Sequence, residues 1–440
     1  MTASKLKNYR WLIVFLLFTA TTINYLDRQI IGLLKPTLET EFTWSETDFA
    51  HIVMAFQAAY AIGLLGFGWI IDRIGTKAGY AITIIIWSVA GMLHAVARSV
   101  WGFSVARLGL GIGEAGNYPA AVKTVAEWFP QKERGLATGL FNAGTSVGVV
   151  VAVLVVPWIL NHYGWHEVFW ITGALGFVWL IFWLLFYDIP ARQARLTTEE
   201  HDYIISGQEV ANTETDDKQS VNWFRLFTFP QTWAYITGKG LIDPIYWFFL
   251  FWLPSYFSST FNLDLKKPSL ELMLIYTATT VGSIGGGYLS SWLIKRGWPT
   301  IKARKTVLLV LATLELSIIF AQFATSVWVA VALISLAVAL HQAWATNVFT
   351  LASDMFPKQA VSSVVGIGGT AGAVGGILFP MLVGSLLDQY KAVGNLAGGY
   401  NILFTICGFT YLIAWLIIHL LTRKAKTVET RELSEMAVMD

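Results

Sequence analysis

The sequence predicts an all-α membrane protein of twelve spanning helices arranged as two pseudo-symmetric halves of six. Three observations carry that expectation. Hydrophobic residues make up 55% of the 440-residue chain and charged ones 13%, with a mean hydropathy of +0.57, too little charge for a soluble protein of this size. Apolar stretches of about 20 residues, the length that crosses a bilayer, begin near Trp11, Phe49, Ala78, Trp101, Ala137, His166, Thr232, Ser269, Thr306, Val327, Val361 and Gly398. The longest polar interruption, Asp188 to Arg225, falls between the sixth and the seventh.

The first stretch, Trp11 to Leu34, follows Lys5, Lys7 and Arg10. It is longer than the apolar core of a signal peptide and lacks a small-residue cleavage site, so it reads as a span. The expected organisation is a first half over 1–187, a linker over 188–225, a second half over 226–422 and a tail over 423–440. In the linker, Thr197 and Glu200 stand in the T-x-x-E spacing of a capping box, which predicts a short helix running towards Gly207. The polar stretch ANTETDDKQS beyond it has the composition of a flexible connector.

Lysine and arginine fix the expected orientation. With both termini in the cytoplasm, inner segments hold 21 of them, outer loops 5, including Lys35, and the spans 4: Arg28, Arg107, Lys123 and Lys239. A net charge of +2 without a large basic cluster argues against a nucleic-acid partner. Cys407 is the only cysteine, which excludes intramolecular disulfides and cysteine-based zinc or redox chemistry. The sequence contains no nucleophile elbow, P-loop or metal-ligand spacing, so neither an enzyme, a cofactor, a bound metal nor an ATP-driven pump is expected.

The halves echo each other. EWFPQKERGLATG (Glu127 to Gly139) and DMFPKQAVSSVVG (Asp354 to Gly366) both place Phe-Pro nine residues before a glycine, and Gly148 and Gly375 continue the register. A second echo joins GWIIDRIGTK (Gly68 to Lys77) to GYLSSWLIKRG (Gly287 to Gly297). Repeated six-span halves imply a central cavity and transport by rocking one half against the other.

Charged residues inside spans cost roughly 2.5 to 3.5 kcal/mol each on insertion scales and usually face a wet cavity or one another. Reckoned from Leu34 and Trp101 as outer ends, Asp27 and Arg107 lie at similar depth, about 10 Å and 9 Å in, which predicts that they pair. Glu114 follows Arg107 by seven residues, on nearly the same face two turns deeper. The surrounding GLGIGEAGNYPA lets helices approach closely and bend. Arg28, rotated about 100° from Asp27, is left available for an anion. Burial favours the neutral form of a carboxyl and a nearby arginine the charged form, so a moving arginine can switch Glu114 as a proton carrier. The bland alternative is a salt-bridge network that only holds the helices in register. Lys239 and Asp243, at i and i+4, read as an internal ion pair. Tyr25, Tyr60, Tyr246 and Trp247 have the chemistry to stack on a sugar ring, although aromatics in spans mostly pack or anchor. His94, His341 and Glu315 read as locally satisfied core residues.

With these residues in view, the sequence resembles the major facilitator superfamily over essentially its whole length. The signature G-x-x-x-D-R-x-G-x-K is present as Gly68, Asp72, Arg73, Gly75 and Lys77. The resemblance implies a gating role for Asp72 and Arg73, and Ser291 in place of the acid in the second copy implies an asymmetric latch. Within the superfamily the chain looks like the anion:cation symporter family, and most like its bacterial hexuronate transporter branch. NYLDR (24–28), RLGLGIGEAGNYPAAVK (107–123), EWFPQKERG (127–135), LTTEEHDYIISGQE (196–209) and HQA (341–343) carry that likeness.

The likeness implies that Arg28 holds the substrate carboxylate, that Asp27 and Glu114 take up protons, that Arg107 pairs with them, and that Tyr25 and Tyr60 line the pocket. The expected substrate-binding set is Tyr25, Arg28, Tyr60, Arg107, Thr145, Tyr246 and Trp247. Aldonate-transporting relatives tend to carry a glutamine near Thr145 and an asparagine-bearing motif where this chain has GGTAGAVGG (Gly368 to Gly376); the smaller residues leave room for a sugar ring. The implied function is proton-coupled import of a sugar-acid anion such as glucuronate or galacturonate across a bacterial cytoplasmic membrane, by a monomer. The alternatives are an aldonate or other organic anion, sodium coupling, or a non-transporting receptor.

Overall fold

A computed structural model of the protein describes residues 8–206, 223–356 and 358–423. Every regular element among them is helical. The chain divides into two compact units, one of Met1–Trp44, His51–Asp216 and Leu265–Pro268, the other of Ser45–Ala50, Asp217–Asp264 and Ser269–Asp440.

The first run of helices is α1 (Tyr9–Phe42), α2 (Glu46–Ile74), α3 (Thr76–Leu93), α4 (Val100–Ala115), α5 (Asn117–Trp128), α6 (Gln131–His162), α7 (Trp165–Phe186) and the short α8 (Thr198–Ser206). The second is α9 (Trp223–Leu226), α10 (Pro230–Gly240), α11 (Asp243–Phe261), α12 (Leu270–Lys295), α13 (Thr300–Glu315), α14 (Val327–Met355), α15 (Lys358–Ala392) and α16 (Leu396–Leu421). Nine spans among the described residues are long and apolar enough to cross a bilayer unaided. The remaining three of the twelve are α4 with α5, α10 with α11, and α12, whose Thr, Ser and Gly content dilutes its hydropathy.

Proline accounts for both split spans. A proline ring removes an N–H and crowds the carbonyl four residues earlier. Four residues before Pro119 is Ala115, where α4 ends, and four before Pro244 is Gly240, where α10 ends. Gly116 bridges the first gap by donating its N–H to the Gly113 carbonyl at 3.3 Å.

Small residues set the close helix pairs. A Cβ at Gly144 of α6 would stand 2.5 Å from the Phe18 carbonyl oxygen, and one at Gly148 would overlap that of Thr22, so α6 lies directly on α1. In the other unit Gly286 of α12 meets the Ala343 backbone of α14 at 2.5 Å in the same sense. These are the i, i+4 small-residue stripes that membrane helices use to pack.

The two sequence echoes have physical meanings. Glu127 accepts from the Thr76 hydroxyl at 2.7 Å, and Asp354 accepts from Arg304 Nε at 2.9 Å. Each acid thus ties the end of one span to the start of another within its own half. Gly75 and Gly297 both adopt left-handed φ, 88° and 87°, at the close of the second span of each half, a conformation that a Cβ penalises. Pro357 lies outside the described residues, as do the linker from 207 to 222 and the side chain of Asp72. The Asp72–Arg73 latch therefore has no described geometry, although Arg73 itself is exposed.

Two expectations are corrected here. The first span does not end at Leu34; α1 continues to Phe42, and Lys35, assigned to an outer loop, is buried within it and pairs with Glu39 at 2.8 Å. The capping spacing does start α8, with Glu200 N–H donating to Thr197 Oγ1 at 3.2 Å. The Glu200 carboxylate, however, leaves its own helix to cap α1, accepting from Tyr9 N at 2.8 Å, Arg10 N at 3.2 Å and the Arg10 guanidinium at 2.8 Å.

Candidate functional site

The charged residues of the first unit converge beside a close approach of α2 and α4 on glycine. A Cβ at Gly111 of α4 would stand 2.5 Å from the Phe56 carbonyl oxygen of α2, and one at Gly63 of α2 would meet Ala115 Cβ at 2.7 Å. That approach brings Glu114 to Arg28 of α1. Arg28 donates from Nε at 2.9 Å and from a terminal nitrogen at 2.7 Å, both to Glu114 Oε2, and reaches Asn24 Oδ1 at 3.4 Å. Both partners are sealed from solvent, with side-chain exposures of 1% and 0%. Glu114 Oε1 is buried without a hydrogen-bond partner.

Aromatic rings enclose the guanidinium. Its carbon lies 4.7 Å from the Tyr25 ring centre, 4.7 Å from that of Tyr60 and 5.0 Å from that of Phe56. Each such contact contributes about 0.5 to 2 kcal/mol, the upper end applying where water is excluded. The rings also fix the plane in which the guanidinium presents its donors.

This arrangement differs from the expected one. Asp27 and Arg107 are not hydrogen-bonded to each other: both carboxyl oxygens of Asp27 and all three guanidinium nitrogens of Arg107 are buried without hydrogen-bond partners. Arg107 stands 5.6 Å from the Phe56 ring centre and within electrostatic reach of Asp27, Arg28 and Glu114. Thr172 of α7, beside Asp27, turns its hydroxyl to the Val168 carbonyl at 2.9 Å instead. Arg28, expected to be available, is the arginine that holds a carboxylate. Depth along a helix fixed which residues share a level; rotation about the helix axis decided which of them touch.

The remaining predicted residues separate. Thr145 is partly buried on α6, one residue past Gly144, which packs on α1. Tyr246 and Trp247, both half-buried on α11, belong to the other unit. There Tyr246 stacks on His341 at 5.2 Å, and Trp247 on Phe251 at 6.1 Å. Lys239 and Asp243 form the expected ion pair at 2.7 Å, across the break before α11. The small residues of Gly368 to Gly376 do not open space for a ring throughout. A Cβ at Gly372 would meet Asp243 Oδ2 at 2.5 Å, one at Gly375 would meet Pro244 Cγ at 2.5 Å, and one at Gly368 would overlap Tyr235. These glycines accept the split helix.

Sequence reading passed over Phe56 and Tyr118. Phe56 lies one turn before Tyr60 and stacks on it at 5.8 Å, so the i, i+4 aromatic pair was a usable signal. Tyr118, four residues after Glu114, donates to Asn142 Oδ1 of α6 and lies within reach of Tyr25 and Tyr60.

The site is thus a glutamate and an arginine sealed together among aromatic rings, inside a bundle of membrane spans. No group of side chains among the described residues is arranged to hold a metal. The chain belongs to the major facilitator superfamily, whose family model matches residues 17–380. It is 32% identical over 431 residues to the hexuronate transporter of Escherichia coli K12, covering 97% of both chains. It is 35% identical over 285 residues to the galacturonate transporter of Dickeya chrysanthemi, covering 65% of this chain and 82% of that one. A crystal structure of a bacterial homolog of the human lysosomal transporter Spinster, inward-facing and unoccupied, superposes with a TM-score of 0.77 at 18% identity, over 95% of this chain and 98% of that one. The protein is thus a multi-pass membrane transporter and not an enzyme.

Proposed function

We propose that this transporter imports a hexuronate monoanion, such as glucuronate or galacturonate, together with a proton, by alternating access. The observation that carries the reading is the Arg28–Glu114 pair. One arginine, oriented by Tyr25, Tyr60 and Phe56, is occupied by a single oxygen of a carboxyl group that can be neutralised by a proton. A substrate carboxylate and the Glu114 carboxylate compete for the same donors, and protonation of Glu114 removes the competitor. Substrate then binds Arg28 through charge-assisted hydrogen bonds.

In this scheme proton and anion are taken up together from outside and released together inside, where deprotonated Glu114 reclaims Arg28 and expels the substrate. Asp27 and Arg107, neither of them hydrogen-bonded here, gain or lose a partner as the charge on Glu114 changes. The likeness to a hexuronate transporter and a galacturonate transporter supports a sugar acid. The bacterial relatives and the excess of lysine and arginine on one set of loops support a cytoplasmic membrane with both termini inside. The test is uptake of labelled glucuronate and galacturonate by the reconstituted chain under an imposed pH gradient. Glu114→Gln is expected to exchange substrate but not accumulate it; undiminished accumulation by that variant refutes the scheme.

A further inference from the structure

The scheme above leaves Glu315 of the second unit unused. It is fully buried, and neither carboxyl oxygen has a hydrogen-bond partner, so it is not the locally satisfied core residue the sequence suggested. It sits where its span changes character: α13 ends at Glu315 and the chain continues as a 3₁₀ helix over Leu316–Phe323. Such helices seldom exceed three or four residues, and a long one inside a span often marks a hinge. The first unit has a counterpart, since the span Thr76–Val96 turns from α3 to 3₁₀ at His94, also fully buried. His94 is tied by Nδ1 to the Ala90 carbonyl at 2.8 Å; Glu315 has no such tie.

α16 packs on α13 and on the 3₁₀ turn that follows it, where a Cβ at Gly408 would meet Ile319 Cγ1 at 3.0 Å, and it brings two buried titratable groups, Cys407 and Tyr411, to the side of Glu315. From α14, His341 Nδ1 shares a hydrogen bond of 2.6 Å with the Tyr411 hydroxyl. α12, which also packs on α13, brings no titratable group to the carboxyl among the described residues. The His341 ring in turn stacks on half-buried Tyr246. Asp243, within electrostatic reach of the same Tyr411 hydroxyl, pairs with Lys239 at 2.7 Å. Titratable side chains therefore run in series from the Lys239–Asp243 pair through His341 and Tyr411 to an unpartnered acid. Within a membrane, a buried ionisable group of this kind is by default a functional one.

We propose that this series is a second proton-binding site, lying wholly within the second unit, where Glu315 takes up and releases a proton through Tyr411 and His341. On release, the Glu315 hydroxyl proton passes to the Tyr411 oxygen as the Tyr411 proton passes to His341 Nδ1, and the imidazolium so formed gives its Nε2 proton to solvent, leaving a carboxylate and a neutral imidazole. Uptake runs the same transfers in reverse. The required rotation of the Glu315 side chain breaks no hydrogen bond.

The site depends neither on the identity of the substrate nor on the Arg28 pair. Infrared pH-difference spectra of the purified full chain test it through the carboxyl C=O bands that appear on protonation. Glu315→Gln is expected to remove one band and to leave intact the band that Glu114→Gln removes. Tyr411→Phe, which keeps the ring and loses only the hydroxyl, is expected to retain the Glu315 band but slow its deuterium exchange by about a hundredfold, the low end of what a positioned acid–base group contributes. A Glu315→Gln spectrum identical to that of the unmodified chain overturns the proposal, as does exchange at the unmodified rate in Tyr411→Phe. If Glu315→Gln does not fold, Tyr411→Phe decides alone. Either failure leaves the Arg28–Glu114 reading to be judged on its own band.

Discussion

Replacing Glu114 by glutamine keeps the side-chain shape and one carbonyl acceptor but removes the charge that competes for Arg28. In the structure that competition consists of two hydrogen bonds, 2.9 and 2.7 Å, to one carboxylate oxygen sealed from water. Hydrogen bonds to charged groups contribute about 1.5 to 3 kcal/mol, so loss of the charge on one acceptor relieves the competition by roughly that amount. At 1.4 kcal/mol per decade, this is about ten- to hundredfold in the dissociation constant of the sugar acid. The sign follows from the proton: in the unmodified chain affinity falls as pH rises, because deprotonated Glu114 retakes Arg28. The Glu114→Gln protein keeps the high-affinity value throughout, so the two proteins converge in acid and separate in alkali. Equilibrium binding of galacturonate to purified protein across that range measures the separation. A parallel fall in affinity in both proteins refutes the reasoning, because the competitor would then not be Glu114.

Other outcomes follow from the same geometry. Arg28→Lys is expected to lose binding nearly as completely as Arg28→Ala, measured by the same titration, since a point charge replaces a planar fork set between two tyrosines at 4.7 Å. Gly111→Ala is expected to lower stability in a detergent melt by about 1 to 3 kcal/mol, because its Cβ meets the Phe56 carbonyl at 2.5 Å. Gly139→Ala, with nothing within 4 Å of the added carbon, is expected to leave the melt unchanged. Glu200→Ala removes the cap on α1 and costs about 0.5 to 2 kcal/mol locally. Hydrogen exchange at Tyr9 and Arg10 and proteolysis near α8 are both expected to accelerate.

Much of the fold was legible because its rules are local. Twelve apolar stretches, the proline at 119 that breaks its span, and the glycines around Glu114 that let helices approach all act over one or two turns, whereas the break before Pro244 emerged only in the structure. The site was legible in membership more than in pairing. Asp27, Arg28, Arg107 and Glu114 do gather, but which arginine holds which acid depends on how α1 and α4 are rotated and on the Tyr25, Tyr60 and Phe56 rings. Sequence spacing does not encode that rotation. The same limit explains Glu200, whose spacing announced α8 while its carboxylate was taken by the distant start of α1. The glycines at 368, 372 and 375 looked like empty space because their neighbours, Tyr235, Asp243 and Pro244, lie more than a hundred residues away.

The most direct measurement follows sugar-acid uptake and internal pH at once in vesicles containing the full chain, without an imposed gradient. Added galacturonate is expected to acidify the vesicle interior as it enters, and the Glu114→Gln protein to give no acidification. Uptake with no change in internal pH, or acidification undiminished by that substitution, would contradict the claim that Glu114 and a substrate carboxylate take turns on Arg28.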